Sequence, residues 1–218
     1  MVLSGIIFDM DGVLVDSEPL HSKSWDLVLR EFGIHFAPDW FDPWIGVPDK
    51  DLAFYLVGEL DVPVDAGGLL ARKRGRYRQL VDAELVAFPG IMEGIRRLSP
   101  MPMAVATSSR RPDVDRGLAK VGLGGLFNAI VTIDDVAAGK PDPEPYRLAA
   151  QRLGLAPSTC VALEDSPAGV RSAVTAGCMT IGIRSSHPDQ ALAGAHRIVA
   201  TVADALDWVY RCRQGETD

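Results

Sequence analysis

Val2-Leu3-Ser4-Gly5-Ile6-Ile7-Phe8 runs directly into Asp9-Met10-Asp11-Gly12. The first seven residues form a short apolar run containing β-branched Val2, Ile6 and Ile7. Such a run reads as a buried strand, and the polar segment with its glycine reads as the turn at its carboxyl end. Similar short runs recur at residues 103–107, 129–132, 160–163 and 179–183, with a weaker sixth at 197–199. Helical patterns separate them. Residues 112–122 carry Val114, Leu118 and Val121 at helical spacing, and residues 145–154 carry Tyr146, Leu148, Ala149 and Leu153. Residues 167–177 open on a proline and close on a glycine, as helices commonly do. Strands alternating with helices predict an α/β protein with a doubly wound parallel sheet covered on both faces.

Residues from about 17 to 87 break that rhythm, with no convincing strand. Residues 17–32 form a helix candidate carrying Leu20, Trp25, Val28 and Leu29, and residues 49–60 and 65–81 form two more. A short helical piece is expected near 39–44. The organisation is therefore a core of residues 1–15 and 88–218, with a helical domain of residues 16–87 inserted after the first strand. Pro89-Gly90 marks the return to the α/β pattern.

Composition bounds the function classes. Of 218 residues, 47% are hydrophobic and 23% charged, which is ordinary for a globular chain. The formal net charge of −7 argues against a nucleic-acid binder. No run of about 18 apolar residues occurs, so no membrane-spanning helix is expected. The first residues lack the basic and apolar regions of a signal peptide. Cys160, Cys178 and Cys212 have no zinc-ligand spacing, which suits a reducing, cytoplasmic setting.

In parallel α/β sheets, ligands bind at the carboxyl ends of the strands. The polar residues there are Asp9 and Asp11, then Thr107-Ser108-Ser109, then Gly139-Lys140-Pro141, then Glu164-Asp165. Four carboxylates on one edge repel strongly: unit charges about 4 Å apart cost roughly 4 kcal/mol at an effective dielectric of about 20. A hard divalent cation relieves this, and an all-oxygen set suits Mg²⁺. Lys140 adds a second positive charge, and Thr107 and Ser108 offer donors to phosphoryl oxygens. Asp9 and Asp11 lie two apart on extended chain, so both can reach one reacting centre. One carboxylate attacks phosphorus and the other moves a proton. Attack is assigned to Asp9 and proton transfer to Asp11, although spacing alone does not fix that order.

The motif Phe8-Asp9-Met10-Asp11-Gly12-Val13-Leu14-Val15-Asp16-Ser17-Glu18 resembles the first motif of the haloacid dehalogenase superfamily, and within it the β-phosphoglucomutase-like phosphatases. Thr107-Ser108 resembles the second motif, residues 140–146 the third and residues 163–170 the fourth, in order and with fitting spacing over nearly the whole chain. The resemblance implies an Asp9 nucleophile, an Asp11 acid/base and Mg²⁺ held by Asp9, the Asp11 main-chain oxygen and the Glu164/Asp165 pair. It also implies that the inserted helices form a cap. An acid at Asp11 favours phosphoryl transfer over dehalogenation.

Substrate-contact candidates in the helical insert are His21, Trp25 and Gly46, with Lys50 and Arg74 behind them. His21 and Trp25 are four apart and share a helix face. The mutase of that group carries a lysine where this chain has Ile45, and a phosphate-holding arginine where it has Asp49. The expected activity is therefore Mg²⁺-dependent hydrolysis of a small phosphomonoester, with a sugar phosphate as the expected substrate, through an aspartyl-phosphate. A phosphosugar mutase is the alternative, and a non-catalytic module on this fold is a third reading. Arg110, just after the second motif, is a candidate for the substrate's distal group. The basic run 72–78 reads mainly as a solvated helix face, with Arg74 the member that would meet an anion. His35, His187 and His196 have no evident partners. The partner expected is a small phosphorylated metabolite, bound by a monomer.

Overall fold

A computed structural model describes residues 3–37, 39–45, 47–60 and 62–216. The chain divides into two compact units, Met1–Asp16 with Val86–Asp218, and Ser17–Leu85.

The first unit is built on six strands: β1 (Gly5–Phe8), β2 (Met103–Ala106), β3 (Ala129–Val131), β4 (Cys160–Glu164), β5 (Met179–Ile183) and β6 (Arg197–Val199). All pairings are parallel, in the order β3-β2-β1-β4-β5-β6. β1 and β2 are buried at every position, which is why their sequences are continuously apolar rather than alternating. Phe8 pairs with Val105 on one side and Leu163 on the other. That register sets the residues following β1 beside Thr107, just past β2, and Glu164 of β4. The strand order reverses at β1, the switch point where doubly wound sheets bind ligands.

Five helices cover this sheet: α4 (Ile91–Leu98), α5 (Arg111–Lys120), α6 (Glu144–Arg152), α7 (Pro167–Ala176) and α8 (Val202–Arg213). The three expected from sequence match within two residues at their starts. α7 illustrates the local logic. Ser166 accepts from the Gly169 N–H at its start, Pro167 opens it, and Gly177 at φ 97° closes it. The motif reading does not single out α4 and α8. α4 is short and contains Gly94, a poor helix former. A Cβ there would lie 2.3 Å from the Leu206 side chain, so the glycine admits α8 at close range.

The second unit holds α1 (Glu18–Arg30), α2 (Asp49–Glu59) and α3 (Ala66–Glu84), with a 3₁₀ turn at Asp42–Trp44. Its core gathers Trp25, Val28, Leu29, Phe41, Leu52, Leu56 and Leu69. Asp65 caps α3 by accepting from the Gly68 N–H, and the helix runs three residues past Val81. No helix among the described residues is long and apolar enough to cross a membrane.

Candidate active site

The turn after β1 is tight. The N–H groups of Leu14 and Val15 donate to the Met10 carbonyl, and the Gly12 N–H donates to Val15. Gly12 has φ 75°, and a Cβ on it would sit 1.9 Å from Oδ2 of Asp165. Glycine is therefore required twice, by the backbone angle and by the closeness of a carboxylate. The Asp9 N–H continues the sheet by donating to the Leu163 carbonyl, which holds Asp9 level with the end of β4.

Lys140 reaches this point from the loop before α6. Its Nζ lies 2.9 Å from Asp9 Oδ1 and 2.5 Å from Glu164 Oε1, with its side chain 4% exposed. Glu164 is wholly buried and already has many donors. Its Oε1 accepts from Lys140 and from the Tyr146 hydroxyl at 2.7 Å. Its Oε2 accepts from the Asp165 N–H, the Ser166 N–H and the Ser166 hydroxyl. A carboxylate offers about four lone-pair sites, so Glu164 is saturated. To reach an ion it would have to give up a donor.

The charges on these groups follow from their neighbours. Burial pushes the Asp9 carboxyl well up, and Glu164 adds to this against the opposing pull of Lys140. Burial and the Glu164 charge push Asp165 up to about 8. Burial also acts against the Glu164 anion, but Lys140 and the hydrogen bonds outweigh it and hold that carboxyl below the usual range. Burial opposes the Lys140 ammonium, yet Asp9 and Glu164 together raise its pKa. Asp9, Glu164 and Asp165 bring one oxygen each within 4.8 Å of one another. Fully ionised, three close carboxylates against one ammonium would carry excess negative charge, and a hard dication fits this all-oxygen set.

Asp11 accepts a 2.8 Å hydrogen bond from the Ser109 hydroxyl. Sequence reasoning noted Ser109 only as part of a hydroxyl cluster; the contact spans 98 positions and has no local signature. Thr107 is buried, with its N–H on Val131 and its hydroxyl accepting from the Ser109 N–H at 3.0 Å. Ser108 is exposed beside it. Arg110 is not brought to the cluster by any described contact: its side chain is 60% exposed and pairs with Asp134 through Nε.

In the helical unit, Trp25 corrects the sequence assignment. Its ring is fully buried in that unit's core, and its indole N–H donates to Asp49 Oδ1 at 3.0 Å. The helical spacing that suggested a binding face reflects packing. His21 stands 2.7 Å from Lys73 Nζ through Nδ1 and stacks on Tyr77 with centroids 4.2 Å apart. Lys73, which the sequence reading placed in a solvated basic run, is 1% exposed and donates to Asp49 Oδ2 at 2.6 Å. Its signal is its place on the α3 stripe, four residues after Leu69 and seven before Leu80, both buried. Arg72 and Arg76 both pair with Glu31, and Arg74 is exposed. Gly46 lies outside the described residues.

A parallel sheet in this order, with an Asp-x-Asp turn after its first strand and a buried lysine on the first aspartate, defines a family. The haloacid dehalogenase-like hydrolase model matches residues 6–183, and the chain belongs to that family and is an enzyme. It is 33% identical over 193 residues to the validoxylamine A 7'-phosphate phosphatase of Streptomyces hygroscopicus subsp. limoneus, covering 87% of this chain and 89% of that one. It is 32% identical over 181 residues to a fructose-1-phosphate phosphatase of Escherichia coli, covering 83% and 96%. Among solved structures, a putative β-phosphoglucomutase from Thermotoga maritima superposes with a TM-score of 0.84 at 30% identity, covering 95% of this chain and 98% of that one.

Proposed function

We propose that the chain is a Mg²⁺-dependent phosphatase that hydrolyses a small phosphomonoester of a sugar or polyol through an aspartyl-phosphate. The observation that carries this reading is the pairing of Asp9 with Lys140 beside an Asp11 that is separately held by Ser109. The two aspartates thus have different partners, as different roles require. Asp9 Oδ attacks phosphorus, an O–P bond forms, and the bond from phosphorus to the substrate oxygen breaks. Asp11 gives a proton to that departing oxygen. The resulting Asp11 carboxylate then takes a proton from water, whose oxygen attacks phosphorus as the bond to Asp9 breaks. Inorganic phosphate leaves and Asp9 is restored. Lys140 stabilises Asp9 as an anion and offers charge to the phosphoryl oxygens. Thr107 and Ser108 are assigned as donors to those oxygens. Asp9, the Asp11 main-chain oxygen and Asp165 would hold Mg²⁺, with Glu164 behind them. The cation, when bound, would neutralise the carboxylates and withdraw charge from the phosphate.

Hydrolysis is favoured over mutase chemistry by the helical unit. Asp49 stands where the mutase has an arginine, and it binds the buried Lys73 ammonium. A cation already neutralised by a carboxylate is a poor holder of a second phosphate. The phosphatase names of the relatives support the same choice. The test is phosphate release from a panel of sugar and polyol monophosphates, with Mg²⁺ and with EDTA. Release that needs Mg²⁺ supports the reading. Isomerisation of a hexose phosphate, primed by a bisphosphate and faster than release, would replace it with the mutase.

A further inference from the structure

The loop that follows β5 meets the acid cluster at three successive residues. Ser185 donates its hydroxyl to the Gly12 carbonyl. The Ser186 hydroxyl lies beside the Asp165 carboxylate, both crowding the point where a Cβ on Gly12 would stand. His187 places Nδ1 at 3.1 Å from the Asp165 carbonyl oxygen. A carbonyl only accepts, so in this contact Nδ1 carries the proton. The turn after β1 closes the arrangement. A Cβ on Gly12 would meet Asp165 Oδ2 at 1.9 Å and Ser186 Oγ at 2.9 Å. Asp165 thus has one residue of the loop beside its carboxylate and the next on its main-chain carbonyl.

The loop itself is anchored away from the cluster. The Arg184 N–H donates to the Val199 carbonyl at the end of β6, and Arg184 Nε pairs with Asp189. Leu192 is fully buried, and its Cβ would lie 3.3 Å from a Cβ on Gly182 of β5. The N–H of Leu192 donates back to Asp189. A loop tied to two strands and to the core can hold a neighbouring group in place.

We propose that Ser186 and His187 are positioning residues for the divalent-cation site. Ser186 fixes the rotamer of the Asp165 carboxylate, and His187 fixes the peptide plane that carries it. Neither residue touches the substrate. Their effect is to present Asp165 in the geometry a cation needs before the cation arrives, which lowers the ordering cost of binding. The inference rests on the assignment of Asp165 as a metal ligand made above.

The test is Mg²⁺ titration by calorimetry on the full chain, comparing wild type, Ser186→Ala, Ser186→Thr, His187→Ala and His187→Asn. Ser186→Ala and His187→Ala should each weaken Mg²⁺ binding by about 10-fold, the lower end of the range for such supporting contacts. Ser186→Thr keeps the hydroxyl and His187→Asn keeps a donor close to the position of Nδ1, so both should stay within about 3-fold of wild type. The Mg²⁺ concentration for half-maximal activity should rise by the same factor as Kd, while kcat at saturating Mg²⁺ stays near wild type. Alanine variants that bind Mg²⁺ as wild type does would overturn the inference and leave the phosphatase reading standing. A wild-type chain that releases phosphate but binds no Mg²⁺ would overturn the ligand assignment, and the inference with it.

Discussion

In the helical unit, Lys73 is buried against Asp49 and His21; in the α/β unit, Lys140 is buried against Asp9 and Glu164. The first ammonium meets one carboxylate, and Asp49 is held below the usual carboxylate range: Lys73 and His21 outweigh the upward push of burial. The second ammonium meets two carboxylates with a third, Asp165, close by and pushed up to about 8 by burial and Glu164. The helical cluster is charge-balanced within the protein, whereas the strand-end cluster, once ionised, carries surplus negative charge. The difference teaches where to look for a ligand. A balanced buried pair is a fold element. An unbalanced one, at the switch point of a parallel sheet, is where a ligand site is expected.

The largest effect separating the two clusters is expected at Asp9. Asp9→Asn should reduce phosphate release by at least about 10³-fold, as loss of a nucleophile does, while leaving the thermal midpoint near wild type or above it. A variant with full activity would remove the nucleophile from the account. Next comes Lys73. Lys73→Met should destabilise by about 2 kcal/mol in urea unfolding. That is less than the roughly 3–5 kcal/mol for breaking a fully buried pair, because the Asp49 side chain remains 29% exposed. Adding Asp49→Leu to Lys73→Met should recover part of the loss: no lone charge then stays behind, although the Trp25 indole N–H loses its acceptor. Failure to recover would mean that the lysine does more than balance the aspartate.

The same pair has a pH signature. Asp49 is held below its ordinary value of 3.8, so its contribution is complete above that value and is lost as pH falls through the lower folded value. The stability gap between wild type and Asp49→Asn should therefore be flat from neutral pH down to about 5 and should shrink below about 4. His21 also faces Asp49, and a gap that already changes near neutral pH would bring it into the reading. The smallest expected effect is at Arg110, whose partner Asp134 is a surface contact. Arg110→Ala should change stability by less than about 0.5 kcal/mol and kcat/KM by less than about 2-fold. A drop beyond about 10-fold would return Arg110 to the substrate.

The succession of strands along the chain and the polar residues at their ends were legible in sequence, because strands buried on both faces write continuous apolar runs and stop at Asp9, Thr107 and Glu164. The haloacid dehalogenase resemblance rested on the same residues. Contacts between distant segments were not legible. Ser109 on Asp11 and His187 on the Asp165 carbonyl join residues far apart in the chain, and nothing in their local spacing marks them. Trp25 misled because a helix face that packs and a helix face that binds share one periodicity. Lys73 was readable in principle, as a charge on an apolar stripe, but it sat inside a basic run that resembles a solvated surface. α4 was hidden by Gly94, whose purpose appears only when Leu206 of α8 is seen against it.

The central claim is that Asp9 carries the phosphoryl group. Acid-quenched single turnover with a phosphomonoester that the enzyme accepts, followed by mass spectrometry of its peptides, tests it directly. The account expects phosphate on the peptide containing Asp9, present in wild type and absent from Asp9→Asn. Phosphate on another residue would contradict it, as would steady turnover by Asp9→Asn at the wild-type rate.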